Sequence, residues 1–551
     1  MPSLWGSKQN ADVDNDNDNE NNNNMTGRDS HDGGREPTER DRLLPGDSSS
    51  QRRRGQSNTA YLDPDDPAVS PYNLWTVRFL RYLTVLFFAL AFLWWILLLV
   101  SIFVSPPGLH TRGSGYFDFA YTCLTLGLLF VQLVFFSAPS MAMRVTQAIV
   151  AVLLLVDLIL IVTVRRLRQE EGPPGIASVT LATAVAVWCV MIDRIVAWGK
   201  REEEERLTGR AETRRTLRQW LAVLLATIIL IVYIVITVFM TGNLILRARD
   251  AGLEFGGHRY YVDAHKYQVH LDCVGYHADN DTNPTILLEA AEDPAEASFQ
   301  HWLYAAYHNG TINRYCYWDR PGYAFSDNAP SPHSAGMSAD NLAEALAVKG
   351  ELGPFVVVSA GYGSLVSRIF SARHFRQVIG IMLIDPLHED LLPRIGDPSR
   401  GFMLWAWGII SPLGVERVFG TIFTSQTGRQ RLYGRQSGTN GRLLKAKLQE
   451  NLVATSLTRS EVSSARTIQA PETPLVVVSS GLHMRADDEW RRKQEESTKV
   501  TDRLLHWDVV PDAPHYVWMT QDGRRVLEKC LGQLVKAATR LQEERADSRE
   551  E

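Results

Sequence analysis

The sequence predicts a two-part protein, in which a bundle of about five transmembrane helices precedes an α/β domain with a mostly parallel sheet. Apolar stretches of about 20 residues or more fill the first half, enough for each to cross a hydrocarbon core of ~30 Å as a helix. They cover 78–104, 117–138, 142–164, 176–198 and 219–242. In the second half, short β-prone apolar runs alternate with helical patterns, which is typical of α/β folds.

The two ends of the chain are polar. Residues 1–70 are predicted to form a disordered tail, because runs such as DVDNDNDNENNNN offer almost nothing apolar to bury. Residues 541–551 form a second charged tail. A net charge of −5 gives no indication of a nucleic-acid partner.

A short motif in the N-terminal tail predicts intracellular sorting. Glu39 followed by Leu43 and Leu44 resembles the acidic dileucine signal that adaptor complexes bind on the cytosolic tails of vacuolar and lysosomal proteins. A chance match in a charged tail is the alternative, since short motifs recur by chance. The motif predicts an endomembrane location, in a vacuole or lysosome, with an adaptor complex as partner.

The transmembrane region is predicted at 75–245, and its basic residues predict its orientation. The loop 199–218 and the N-terminal tail are both rich in Lys and Arg, and five spans place them on the same side. That side should be cytosolic, which places the α/β domain in a lumen or outside the cell. Arg165, Arg166 and Arg168 oppose this orientation.

Charged residues inside the spans are functional candidates. Asp157 lies in the third span and Arg194 near the end of the fourth. Their predicted depths leave ~14 Å between them, so we expect Asp157 to face another helix or a polar gap. A transporter-like function rests on Asp157 alone.

The α/β domain is predicted at 255–540, and its elements follow in order. A hairpin over 257–273 turns at 263–266, and strands follow at 285–288 and 315–318. After a helix at 341–346 come strands at 355–358, 378–384, 475–479 and 505–510, and a last helix begins at Arg524. The long insertion at about 390–470 is predicted to be a helical lid.

The stretch Phe355–Phe370, FVVVSAGYGSLVSRIF, predicts a strand, a sharp turn and a helix. This is the layout of a nucleophile elbow, in which a serine occupies the strained turn of a G-x-S-x-G pattern. Here the frame 359–363 reads Ser-Ala-Gly-Tyr-Gly, so Gly361 stands at the serine position. The turn therefore has no hydroxyl at its apex.

Several motifs together resemble the α/β-hydrolase family over roughly 258–540. The elbow resembles FVLVGHSYGGLVARLF, and Pro514-His515-Tyr516 resembles the segment that supplies the catalytic histidine. Three further segments match family motifs: Leu288–Ala291 (LEAA), Trp318–Asp327 (WDRPGYAFSD) and Ile384–Asp390 (IDPLHED). The resemblance implies an α/β-hydrolase fold with a helical lid.

The resemblance also implies the roles of site residues. His515 corresponds to the base, and its carboxylate partner is Asp385 or else Asp487 or Asp488. The amides of Tyr362 and of a residue near Ala291 correspond to the oxyanion hole.

The resemblance implies that Gly361→Ser is sterically possible, since the family carries a serine at this strained position. If only the nucleophile is missing, the substitution should restore labelling by a fluorophosphonate. Neither Ser359 nor Ser364 is placed to replace the missing hydroxyl.

Three features agree with a lumenal or extracellular domain. The family often has cysteines at positions matching Cys273 and Cys316, which implies a disulfide, with two buried free thiols as the alternative. Asn280 and Asn309 begin glycosylation sequons in loop-like stretches.

Together these observations predict a multi-pass membrane glycoprotein with a non-catalytic hydrolase-like domain that binds or scaffolds. An active membrane-bound hydrolase of lipid or other esters with an atypical nucleophile is the alternative. The expected partners are the lipid bilayer and an apolar small molecule or lipid, and we predict no cofactor and no metal. The apolar lid segment 402–410 either lines a pocket, lies on the bilayer or packs on the core.

Overall fold

The computed structural model describes residues 71–109, 111–209, 217–276, 283–433 and 438–550, the last five of these by backbone alone. The predictions on Glu39, Leu43, Leu44 and Asn280 concern residues outside these ranges.

Five helices in the N-terminal half of the described chain are long and apolar enough to cross a membrane. They are α1 (Trp75–Phe103), α2 (Tyr116–Val134), α3 (Met141–Thr163), α4 (Arg165–Thr208) and α5 (Leu217–Asp250). A kink at Gly172, where φ is 62°, separates the first turns of α4 from its long apolar part. The predicted helical bundle is therefore confirmed.

Successive helices run up and down, so the loops alternate between the two ends of the bundle. At one end, Asn73 before α1 donates a hydrogen bond of 3.2 Å to Glu203 near the end of α4. At the other end, the Ser105 amide after α1 donates to the Ser331 carbonyl of the α/β domain, at 3.0 Å. The segment preceding α1 and the α/β domain thus lie at opposite ends of the bundle.

The C-terminal half is built on one eight-stranded sheet in the order β1-β2-β4-β3-β5-β6-β7-β8. Its strands are β1 (His258–Val262), β2 (Tyr267–Gly275), β3 (Thr285–Glu289), β4 (Arg314–Trp318), β5 (Phe355–Ala360), β6 (Val378–Ile384), β7 (Leu475–Ser480) and β8 (Leu504–Val510). Strand β2 pairs antiparallel with β1 and β4, and every other pairing is parallel. The sheet confirms the predicted α/β-hydrolase-like fold.

Helices cover both faces of this sheet, as a parallel sheet requires. They are α6 (Phe299–His308), α7 (Ala335–Lys349), α8 (Gly363–Arg373), α9 (Leu392–Ile395), α10 (Pro398–Ile410), α11 (Val415–Thr424), α12 (Gly428–Tyr433), α13 (Gly441–Val453), α14 (Arg459–Ile468), α15 (Gly481–Ala486), α16 (Asp488–Ser497) and α17 (Gln521–Glu550). Helices α9 to α14 lie in the insertion between β6 and β7.

The central strand β5 shows how the two cores form. Phe355 and Val357 belong to the core with α7, α8 and α14, whereas Val356 and Val358 belong to the core with α6 and α17. Side chains alternate between the faces of a strand, so a strand covered on both faces is apolar throughout. This places the end of β5, and the elbow after it, between two packed layers.

Buried ion pairs join the helical bundle to the α/β domain. Arg166 at the start of α4 pairs with Glu170 at 2.7 Å and with Asp327 of the α/β domain at 3.0 Å. Arg442 of α13 and Arg247 of α5 also pair with Glu170, at 3.3 and 3.0 Å. The charge of Arg166 is therefore neutralised by nearby carboxylates, so this arginine is weaker evidence against the predicted orientation.

The intramembrane acid Asp157 is fully buried and accepts a hydrogen bond of 2.8 Å from the Tyr121 hydroxyl of α2. Asp193, a buried acid of α4, pairs with Arg144 of α3 at 3.0 Å. Asp157 thus faces a neighbouring helix.

Candidate functional site

The elbow after β5 forms as its sequence predicts. Gly361 has a φ of 48°, in the left-handed region that favours glycine. Its amide donates to the Ile384 carbonyl of β6 at 3.2 Å, and its carbonyl accepts from the Leu387 amide at 3.1 Å. The sharp turn is therefore complete, with a glycine at its apex.

The structure brings Asp385, and not Asp488, to His515. The Asp385 carboxylate is fully buried at the end of β6 and accepts a hydrogen bond of 2.6 Å from His515 Nδ1. Asp488 is exposed and pairs with Arg491 at 2.7 Å, and Asp487 caps the start of α16. Asp385 itself has a φ of 40°, a strained conformation of the kind that concentrates at functional sites.

The other side of His515 is occupied by Glu292, which belongs to none of the predicted site residues. Glu292 Oε2 lies 3.2 Å from His515 Nε2, and Glu292 Oε1 accepts a hydrogen bond of 2.9 Å from the Tyr362 amide. In a serine hydrolase, the histidine nitrogen binds the nucleophile and the backbone amide binds the oxyanion. Here the Glu292 carboxylate is bound to both His515 Nε2 and the Tyr362 amide.

Two carboxylates around one imidazole fix its charge. Burial lowers the pKa of His515, but the hydrogen bonds that its ring donates to the carboxylates of Asp385 and Glu292, together with their charges, outweigh burial and raise the pKa to about 10. Burial raises the pKa of the Glu292 carboxyl, and the hydrogen bond and charge of His515 outweigh it and lower that pKa. At neutral pH the imidazole is a cation that donates from both nitrogens, so it has no lone pair with which to act as a base.

The turn after β3, which carries Ala291 and Glu292, is held by Arg320. This buried guanidinium donates to the Ala290 carbonyl at 2.6 Å and to the Ala291 carbonyl at 2.5 Å. It also pairs with Glu289 at 2.8 Å. The DRPGY motif thus positions the turn from which Glu292 reaches the elbow.

Ser359 and Ser364, the two serines near the elbow, are engaged elsewhere. The Ser359 hydroxyl is 2.7 Å from the Ser367 hydroxyl, and the Ser364 hydroxyl donates to the Gly361 carbonyl at 2.7 Å. Both side chains are fully buried. Neither hydroxyl points to the predicted base.

Gly361→Ser is sterically possible only if one flexible side chain, that of Glu292, moves. A Cβ at Gly361 would lie 2.5 Å from Glu292 Oε1, which is closer than real Cβ atoms approach. The glutamate would have to swing away before a serine side chain could enter. The Glu292 carboxylate occupies the space that a serine side chain at position 361 would need. Its present position therefore depends on a glycine at the apex of the turn.

A second histidine, His483, completes the cluster. Its Nδ1 lies 3.1 Å from Asp385 Oδ2, and its ring stacks on Trp490 with centroids 4.2 Å apart. Two zinc ligands at ~2.1 Å in tetrahedral geometry would be ~3.4 Å apart. The 2.6 Å between Asp385 and His515 is shorter, so it fits a direct hydrogen bond. We assign no metal to this group.

The remaining predicted residues lie away from this cluster. Cys273 and Cys316 are directly opposite each other on β2 and β4 and form a disulfide. Asn309 is exposed at the end of α6, where its side-chain amide donates to Glu528 at 2.8 Å.

The sequence did contain a signal for Glu292. It is an acidic residue one position past the turn predicted to carry an oxyanion amide, in a chain whose apex serine is missing. His483 carried no comparable signal, because its position depends on how α15 leaves the end of β7.

Comparison with known proteins gives relatives of unassigned function. Residues 39–273 match the family described as a region of unknown function, DUF2417. An uncharacterized protein of Schizosaccharomyces pombe is 32% identical over 528 residues, covering 90% of this chain and 96% of that protein. An uncharacterized vacuolar membrane protein of Saccharomyces cerevisiae is 29% identical over 336 residues, which span 52% of this chain and 51% of that protein.

Solved structures that are similar to about half of this chain include two esterases. An esterase from Thermogutta terrifontis has 15% identity and a TM-score of 0.36, covering 51% of this chain and 100% of that one. A carboxylesterase structure from Nitrososphaera gargenis has 13% identity and a TM-score of 0.37, covering 51% and 99%. These low values say nothing about activity, and the fold assignment rests on the strand order and connections described above.

Proposed function

We propose that this chain, which belongs to the same family as the uncharacterized protein of S. pombe, is a multi-pass membrane protein with a non-catalytic hydrolase-like domain. The S. cerevisiae relative is named a vacuolar membrane protein, which supports an endomembrane location for this chain. The domain binds or scaffolds a partner, and an apolar small molecule or lipid is the ligand class that we favour.

One observation carries the proposal of a non-catalytic site. Gly361 stands at the nucleophile position, and the Glu292 carboxylate accepts hydrogen bonds from both His515 and the amide of Tyr362. A serine hydrolase needs a hydroxyl, a neutral imidazole and a free oxyanion hole at the same moment. The ion pair with Glu292 removes the last two, in addition to the missing hydroxyl.

A fluorophosphonate probe tests this proposal, because it labels only an activated serine. We expect no labelling of the unaltered chain in membranes. Strong labelling of the unaltered chain that disappears on Ser359→Ala or Ser364→Ala would refute the proposal. The protein would then be an active membrane-bound hydrolase.

Variants of the site separate the effect of the glycine from that of the glutamate. Gly361→Ser alone should remain unlabelled. Gly361→Ser combined with Glu292→Ala removes the carboxylate both from the space beside position 361 and from His515. If only these two groups block the site, the double variant is labelled, and adding His515→Ala lowers its rate by ~10³ or more. The matched control is Gly361→Ala with Glu292→Ala, which makes the same space without supplying a hydroxyl.

We also propose that the hydrolase-like domain is lumenal or extracellular. The Lys and Arg distribution, the disulfide between Cys273 and Cys316, and the sequons at Asn280 and Asn309 support this orientation. Glycosidase treatment should increase gel mobility, and replacing both asparagines by Gln should abolish the change. Cleavage of the domain by protease added to the cytosolic side of sealed vesicles would contradict this orientation.

A further inference from the structure

We propose that α10 and α11 are embedded in the bilayer leaflet next to the hydrolase-like domain. We call residues 398–424, in which these two helices follow each other through the turn at Ser411–Leu413, the lid hairpin. This inference rests on the membrane location proposed above, and it adds a second membrane contact that the five spans do not supply.

The lid hairpin exposes an unusually apolar surface. The lid hairpin has three charged residues: Arg400, which donates to the Ile395 carbonyl at 2.9 Å, and Glu416 and Arg417. Eight large apolar side chains in the hairpin are between 39% and 73% exposed: Phe402, Met403, Trp407, Ile410, Val415, Phe419, Ile422 and Phe423. Their combined area is on the order of several hundred Å², at or above the largest patch that a soluble monomer usually exposes.

The opposite side of the hairpin is fixed to the transmembrane bundle by close packing. Gly408 lies against the ring of Tyr116 in α2, where an added Cβ would approach ring atoms to 2.1 Å. Leu404, Trp405 and Ile409 pack in one cluster with the ends of α1 and α2. One side of the lid hairpin is therefore buried against α1 and α2, and the exposed apolar residues lie on its other side.

The second helix of the hairpin continues the lipid-facing surface of α5. The rings of Phe419 and Phe239 are 5.6 Å apart, and the Asn243 side chain donates to the Pro412 carbonyl at 3.0 Å. Val238 and Ile245 of α5, which flank these contacts in sequence, are about half exposed. The apolar face of α11 thus adjoins the part of α5 that we expect to contact acyl chains.

The charges of the hairpin agree with an interfacial position. Arg417 is buried and pairs with Asp250 at the end of α5, at 2.8 Å, so its charge does not face the membrane. Glu416 lies in the first turn of α11, beside the turn that begins at Ser411. A helix of 13 residues such as α10 is only ~20 Å long, too short to span a bilayer. An apolar face with aromatic residues on so short a helix fits the boundary between headgroups and acyl chains.

Depth-dependent fluorescence quenching in the full-length protein tests the proposal. Single cysteines at exposed positions carry an environment-sensitive fluorophore in phosphatidylcholine vesicles that contain lipids brominated near the carbonyl or near the chain end. The test positions are Phe402→Cys and Phe423→Cys. The free thiols of Cys123, Cys189 and Cys530 are first replaced by Ser, and the disulfide is kept.

Two control positions make the outcome decisive. Val238→Cys on α5 reports whether the bundle itself is in the bilayer, and Asp488→Cys reports the aqueous surface of the α/β domain. We expect the two lid fluorophores to be quenched at least twofold more by shallow than by deep bromines, and Asp488 to be quenched by neither. Quenching at Val238 together with none at Phe402 and Phe423 overturns the lid proposal alone, whereas none at Val238 overturns the membrane location.

A second copy of the chain is the other occupant that would hide this face. In that case, quenching at Phe402 would disappear as the protein-to-lipid ratio rises, and a thiol crosslinker would join Phe402→Cys of two chains. Either result would overturn the assignment to lipid. Quenching that is independent of protein density supports it.

Discussion

Replacing Glu292 by Gln should lower the pKa of His515, which makes the ion pair directly measurable. Glu292 and His515 are each less than one-third exposed, and their oxygen and nitrogen are 3.2 Å apart. Their attraction is ~5 kcal/mol at an effective dielectric constant of ~20 and ~1 kcal/mol in water. Because one pKa unit corresponds to ~1.4 kcal/mol, a fall of ~2 is expected for this partly solvated pair.

Glutamine is the matched substitution because it keeps the shape and the acceptor for the Tyr362 amide while removing the charge. Its side-chain NH₂ also donates to a neutral imidazole, so the variant favours the uncharged form of His515. The reaction of diethyl pyrocarbonate with neutral imidazoles, followed at His515 by peptide mass spectrometry between pH 5 and pH 9, measures the change. His308, on the surface of α6, serves as an internal control and should react identically in both proteins.

In the unaltered chain, His515 should stay nearly unreactive up to pH 9, since its pKa is raised to about 10. In Glu292→Gln, the reactivity of His515 should appear at a pH about two units lower. Identical profiles for the two proteins, or half-maximal reaction of the unaltered chain near pH 6.5, would refute the ion pair.

The raised pKa also sets the sign of a stability effect. A histidine whose folded pKa is higher than its unfolded value stabilises the fold fully below about pH 6.5, and loses this contribution as pH rises through about 10. The difference between these values corresponds to about 5 kcal/mol at most. Alkaline conditions should therefore destabilise the unaltered domain, and in Glu292→Gln the loss should be smaller and complete at a lower pH.

Three further predictions concern regions outside the site. Replacing Cys273 and Cys316 by Ser, or reducing the disulfide, should lower the free energy of unfolding by up to ~4 kcal/mol, because the bridge closes a loop of 43 residues; thermal denaturation checks this. Asp250→Asn leaves two buried arginines without their carboxylate and should cost ~3–5 kcal/mol in the same assay, whereas Asp488→Asn on the surface should cost under ~1 kcal/mol. Replacing Leu43–Leu44 by Ala should redirect the protein, and an unchanged location under the microscope would remove the sorting hypothesis.

Local sequence patterns were sufficient for the five apolar helices, the strands and the elbow, whereas helices such as α6 were not predicted. Apolar length predicts the five helices, since crossing a hydrocarbon core requires about 20 apolar residues in sequence. Apolar runs at strand period, followed by Gly-rich turns and helical spacing, predict β5, the elbow and α8. Gly361 and His515 were recognised because each sits in a contiguous motif. These features depend only on neighbours along the chain, which is the information that a single sequence provides.

The composition of the site was decided only by the tertiary structure. Asp385 and His515 are 130 residues apart, and Glu292 and His515 are 223 apart. No periodicity relates such positions, so the sequence left Asp385, Asp487 and Asp488 open and did not select Glu292 or His483. The sheet order brings the ends of β3, β5, β6, β7 and β8 to one edge, where these side chains meet. The apex glycine was visible in the sequence, but that a carboxylate occupies its place follows only from packing.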